Sequence, residues 1–156
     1  MGILNIRELR GRLLAGQRLL GLDLGEKTIG LALSDTTLTV ASPFKTLKRG
    51  KFKADGAILL DLIVEHGIGG LIVGLPLNMD GSHGPSVQSA QAFARNFAGL
   101  SDCPVVLVDE RLSTAAVTRT LLDADASRRQ RARVVDKMAA AYILQGALDQ
   151  LRGPSL

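Results

Sequence analysis

Three acidic residues far apart in the chain, Asp23, Glu110 and Asp136, stand where carboxylates can serve as metal ligands. Asp23 ends an apolar run at 19–22, and Glu110 follows a second one at 104–108. If those strands are neighbours in one sheet, both carboxylates sit at the same end of it. Side chains alternate along a strand, so only one of Asp109 and Glu110 can join Asp23. Asp136 opens a helical stretch at 134–151 and shares a stripe with Ala140, Ile143, Ala147 and Leu151, the face that packs inward. Each acid also has a plainer reading. An Asp entering a turn hydrogen-bonds the local backbone, and an acid in a first helical turn complements the helix dipole.

Carboxylates gathered in one place repel and raise one another's pKa unless a cation neutralises them. Oxygen ligands without a His or Cys pattern point to Mg²⁺ or Mn²⁺. Such ions suit phosphoryl chemistry, in which one activates a water and a second, about 4 Å away, stabilises the leaving oxygen. Two basic clusters are available to hold phosphates: Lys45, Lys48, Arg49, Lys51 and Lys53, and then Arg128, Arg129, Arg131 and Arg133. A solvated loop is the ordinary reading of such a run. Aromatics are only 3% of the chain, so base stacking is a poor grip and binding by phosphate and shape is expected.

These residues need a rigid frame. Residues 19–35 read as a β-hairpin with a turn at 24–28, residues 38–47 as a third strand bent at Pro43, and together they make an antiparallel meander. A helix is expected over 57–65, with Ile58, Leu59, Leu62 and Ile63 on one side. The continuous apolar run 69–75 is a central parallel strand, followed by a loop to Pro85 and a helix from Ser86 with Val87, Ala90, Ala94 and Phe97 on one face. A buried strand at 104–108, a helix capped by Ser113 or Thr114 and reaching Asp123, and a last helix at 134–151 complete the order. Residues 1–18 form an arm or a short helix, residues 19–152 one domain, and residues 153–156 a tail.

A chain of 156 residues suffices for a single core. The net charge of +4 leans toward a polyanion. With Cys103 as its one cysteine, the chain has no internal disulfide or cysteine metal cluster, which suits a reducing cytosol. The arginines of the first eighteen residues interrupt any leader-like segment, and no run is long enough to cross a bilayer. A cytoplasmic protein is expected. His83 reads as a solvent-exposed loop residue, His66 as a helix-end cap, and Cys103 as a small buried hydrophobe.

Four blocks, GLDLGEKTIGLALSD, IVGLPLNMDGSHGP, VDERLST and VVDKMAAAYILQGALD, resemble in order those of the YqgF family over about residues 19–151. Proteins of that family are ribonuclease H-like and are described as pre-16S rRNA nucleases and as Holliday-junction-resolvase homologues. The resemblance implies an α/β fold in three layers, with a mixed sheet of five strands flanked by helices. It implies that Asp23, Glu110 and Asp136 are the metal-binding and catalytic triad, with Lys27, Asn78, Gly81 and Arg111 in supporting roles. Ser113 replaces the usual Thr, and Lys137 follows the third acid where a small residue is more usual.

The combined expectation is an endonuclease using Mg²⁺ or Mn²⁺, with two ions, that processes the 5′ end of precursor small-subunit rRNA. Lys48, Arg49, Lys51, Arg129 and Arg131 would contact the nucleic acid together with Lys27, Asn78 and Arg111. The same chemistry on a four-way DNA junction is an alternative, calling for a two-fold dimer, so monomer and homodimer both stay open. A non-catalytic RNA-binding assembly factor is a third reading. A sugar-kinase or actin-like ATPase is a fourth, suggested by DLGEKTIG, but it would need two related domains.

Overall fold

The computed structural model describes residues 3–76, 80, 84–110 and 128–153, with residues 128–136 described by their backbone alone. The helix expected from Ser113 or Thr114 to Asp123 lies outside these residues, as do Asn78, Gly81, His83, Arg111 and 154–156.

The chain opens with β1 (Ile3–Leu4) and α1 (Ile6–Arg10), followed by β2 (Arg18–Leu24), β3 (Thr28–Ser34) and β4 (Ala41–Lys48). Then come α2 (Phe52–His66), β5 (Ile68–Leu75), α3 (Pro85–Leu100), β6 (Val105–Asp109) and a long last helix, α4 (Arg128–Arg152). The strands form one mixed sheet in the order β1-β6-β5-β2-β3-β4. Strands β2, β3 and β4 are antiparallel neighbours, while β5 lies parallel to both β2 and β6. The meander followed by parallel strands is thus present, with six strands where five were expected. The extra one is β1, paired parallel to β6 through Ile3 and Leu4. Two residues carry no alternation to read, so neighbouring structure alone reveals this strand.

Strand alternation builds the three layers. On one face Leu20, Leu22 and Leu24 of β2 pack with Leu71 and Val73 of β5 against Leu59 and Leu62 of α2 and Ala90, Phe93, Ala94 and Phe97 of α3. On the other, Leu19 and Ile72 meet Ala140, Ile143, Leu144, Ala147 and Leu148 of α4, with Leu9 of α1. The inward stripe expected on the last helix is buried at Ala140, Ile143, Ala147 and Leu151. Helix α1 is held by a capping box in which Asn5 Oδ1 accepts the Glu8 N–H and Glu8 accepts the Asn5 N–H. Strand β4 forms one edge of the sheet; its residues Ser42, Pro43, Lys45 and Lys48 are exposed, and its register against β3 slips between Leu31 and Ala32.

Two helices start earlier than expected. Helix α2 begins at Phe52 and runs through Gly56. A Cβ on Gly56 would lie 2.8 Å from Leu100 Cδ2, so tertiary packing favours this weak helix former. Helix α4 begins at Arg128, so the second basic cluster is helical and does not precede the helix. Arg, Gln and Ala favour helix, but apolar periodicity registers only the buried stripe that starts later. Between β3 and β4 the chain turns through Leu38, which has a φ of 57°.

The α4 layer sits very low on the sheet. A Cβ on Gly21 would lie 2.8 Å from Leu144 Cβ and 3.0 Å from the Ala140 carbonyl oxygen. Gly21→Ala is therefore expected to cost about 1–3 kcal/mol by overpacking, whereas Gly99→Ala in α3, where the space is open, should stabilise by up to about 1 kcal/mol; urea unfolding of both variants checks the contrast. The turn gives a pH signature. Asp35, hydrogen-bonded first by the Thr37 hydroxyl and then by the Thr39 and Val40 N–H groups, has its pKa lowered from 3.8 to about 2. A depressed folded pKa means that the stability is full above the ordinary value and lost as pH falls through about 2. Asp35→Ala should flatten the stability profile across that window and leave its slope near neutral pH unchanged.

Candidate metal and nucleic-acid site

Asp23 lies near the carboxyl end of β2 and is 5% exposed. By alternation with Leu22 and Leu24 it shares the α4 side of the sheet with Leu19 and Gly21. Glu110 follows β6 directly and is also 5% exposed. Its side chain lies on the same side: Glu110 Cγ is 3.0 Å, and Cδ 3.3 Å, from where a Cβ on Gly74 would stand. Gly74 belongs to β5, the strand between β2 and β6. The β2–β5 register pairs Leu22 with Val73, which makes Asp23 and Gly74 the next neighbours across the two strands. Adjacent strands are about 4.8 Å apart, and the Glu110 carboxyl lies over Gly74, on the strand next to the one that carries Asp23. Asp109 is half-buried and lines a cleft with Asn5, Ile6 and Arg7 along the edge of β6.

Asp136 belongs to α4 by its backbone; its side chain is outside the described residues. It stands one helical turn before Ala140, whose carbonyl lies against Gly21, two residues before Asp23. One turn is about 5.4 Å. The helix therefore crosses β2 close to this residue. Among the described residues no group of three His, Cys, Asp or Glu is placed to hold a metal ion. Asp23 and Glu110 supply two carboxylates from one side of the sheet, a donor set that fits a hard divalent cation.

The basic residues divide. Lys27, in the turn after β2, is exposed, as are Lys48 and Lys51. Lys48 pairs with Thr28 across β3, which puts it at the same end of the sheet as Asp23. Arg129 and Arg131 lie on the first turns of α4, with side chains outside the described residues. Arg49 is different because it is built into the fold. Its Nη1 donates to the Gly25 carbonyl at 2.7 Å and its Nη2 to Ser89 Oγ at 2.9 Å, while its backbone N–H donates to the Lys27 carbonyl at 2.8 Å. Next to it, Asp55, 2% exposed, accepts the Gly50 N–H at 3.2 and 3.1 Å. Sequence reasoning missed Asp55, Ser89 and Gly74. An acid in the first turn of α2 was the available signal for Asp55; nothing local marks the other two.

A cavity of about 490 Å³ beside this clamp is lined by Leu24, Gly25, Glu26, Arg49, Pro85, Ser86 and Ser89. A larger one, about 660 Å³, lies by the amino ends of β5 and β6, among Gln17, Ile68, Gly69, Cys103 and Pro104. Size is not the guide here, since the larger space is away from Asp23 and Glu110. Burial there pushes the Cys103 thiol up to about 12, which keeps it protonated and unreactive.

Comparison with known proteins agrees with this architecture. The RuvX family, described as Holliday junction resolvase, matches residues 17–150. A protein of Paramagnetospirillum magneticum named "Putative pre-16S rRNA nuclease" is 60% identical over 153 residues, covering 98% of this chain and 99% of that one. A protein of the same name from Methylocella silvestris is 57% identical over 150 residues, covering 96% and 93%. Among solved structures, Thermus thermophilus RuvC superposes with a TM-score of 0.52 at 14% identity over 86% of this chain and 95% of that chain. Its complex with a Holliday junction substrate gives 0.51 at 15% over 81% and 91%. Those two likenesses give the ribonuclease H-like fold.

No helix among the described residues is long and apolar enough to cross a membrane. Arg49→Met removes two hydrogen bonds from a charged, half-buried donor, and a loss of roughly 1.5–3 kcal/mol is expected. Amide exchange should accelerate first at Gly25 and Arg49, whose N–H groups close this turn.

Proposed function

Since this chain belongs to the RuvX family over residues 17–150, we propose that it is a divalent-metal-dependent endonuclease hydrolysing phosphodiester bonds in structured nucleic acid, with Asp23, Glu110 and Asp136 as its metal-binding triad. The observation that carries the reading is the pair Asp23 and Glu110, both withdrawn from water on one side of the sheet and separated by a strand without a side chain between them. Carboxylates gathered out of water disfavour one another's charge, a cost that a bound divalent cation would offset. Mg²⁺ or Mn²⁺, when bound, supplies a Lewis acid and a nucleophilic water.

The chain's own residues do the rest. Asp23 on β2 and Glu110 directly after β6 would hold the ions with little reordering. Asp136, on α4, is proposed as the third ligand. Lys27, Lys48 and Lys51 are exposed at this end of the sheet and draw the phosphate backbone toward the acids. Arg129 and Arg131 of α4, with Asn78 and Arg111, are proposed as further contacts to the nucleic acid. Arg49 keeps the Asp23 turn in place, and its contribution to phosphate binding is secondary to that clamp.

The substrate we propose is precursor small-subunit rRNA at its 5′ end, supported by the names of the relatives that match nearly the whole chain. The family's description as Holliday junction resolvase favours a second substrate, the four-way DNA junction. Cutting a junction symmetrically requires two copies about a two-fold axis. With either nucleic acid, the proposed place of work is the cytoplasm.

Even residues behind the metal ligands are worth about 10–100-fold, so Asp23→Asn or Asp136→Asn is expected to lower the cleavage rate by at least about a hundredfold while sparing most binding. A precursor rRNA fragment and a synthetic junction, each assayed with Mg²⁺, Mn²⁺ and EDTA, separate the substrates. Cleavage that survives EDTA would refute the metal reading. Lys48→Gln should weaken binding evenly across sequences and reduce the slope of log K against log salt by about 1.

A further inference from the structure

We propose that Gly74 is a positioning residue for the metal centre: its missing side chain is the space over which the Glu110 carboxyl lies, one strand from Asp23. The inference rests on the metal-nuclease reading above and concerns a residue that itself carries no ligand atom. A Cβ at Gly74 would meet Ile143 Cδ1 at 2.6 Å, Glu110 Cγ at 3.0 Å and Glu110 Cδ at 3.3 Å. Other glycines facing this layer make room only for packing. Gly21 admits Leu144 and the Ala140 backbone, and Gly70 admits Leu9 and Leu19.

At Gly74 two neighbours compete for one small space, and they differ in what they can give up. The Ile143 contact is made by the end of a side chain, which can turn away or be shortened. Glu110 is 5% exposed, and the atoms above Gly74 are those that aim its carboxyl, so a methyl group there lifts or rotates the carboxyl itself. Metal sites tolerate errors of only about 0.2 Å in ligand distance. A methyl at residue 74 thus changes metal affinity through Glu110, separately from anything it does to the core through Ile143.

That separation gives the experiment. Gly74→Ala, Ile143→Val, the double variant Gly74→Ala/Ile143→Val and Glu110→Gln are compared in urea unfolding and in Mn²⁺ titration by calorimetry, without nucleic acid. Ile143→Val removes the Cδ1 that makes the 2.6 Å contact. The double variant is expected to regain the stability of Ile143→Val, yet to bind Mn²⁺ about 10–100-fold more weakly than wild type, approaching Glu110→Gln. A double variant that is stable and binds Mn²⁺ like wild type would overturn the proposal, because Gly74 would then serve only Ile143. Glu110→Gln binding Mn²⁺ as tightly as wild type would instead bring down the metal reading and the proposal with it.

Discussion

The closeness of the α4 layer to the sheet governs this structure. Helices ordinarily stand off a sheet by the thickness of the side chains between them. Here Gly21 and Gly74 present no side chain to α4, and the helix answers with Ala139, Ala140 and Ala147. Backbone meets backbone at Gly21, where the Ala140 carbonyl takes the place of a side chain. A layer pressed this near brings the α4 backbone down over the part of β2 that leads to Asp23, so the packing of the core also shapes the surroundings of that acid.

A second fixture works at the other side of Asp23. The turn after β2 is tied to the end of β4 and to α3 by the guanidinium of Arg49, while Asp55 holds the next residue, Gly50, from the start of α2. Elements separated by 24 and 40 residues in sequence are joined through one side chain. The turn is consequently held firmly where it adjoins Asp23, and the charge open to a polyanion is carried by the exposed lysines around it.

Much of this was legible in the sequence because burial writes a pattern. Apolar runs ending in Asp23 and Glu110 marked strand ends, and the stripe from Ala140 to Leu151 marked the buried face of the last helix. What escaped was whatever depends on neighbours far along the chain. Gly74 looks like any strand glycine until β5 is known to run between β2 and β6. Arg49 sits in a run of cations and reads as one of them, although its partners are a carbonyl and a hydroxyl inside the fold. Strand β1 is too short to alternate, and the first turns of α2 and α4 lack the apolar spacing by which helices are recognised.

The free border of the sheet at β4 has a consequence of its own. An arriving strand would find no N–H at Pro43, a ladder thrown out of step at the register slip, and the ammonium groups of Lys45 and Lys48 in its path. Such a margin repels further β-pairing and so guards against runaway fibre-like stacking. The features that make it inhospitable to another polypeptide are, electrically, an invitation to a negatively charged polymer.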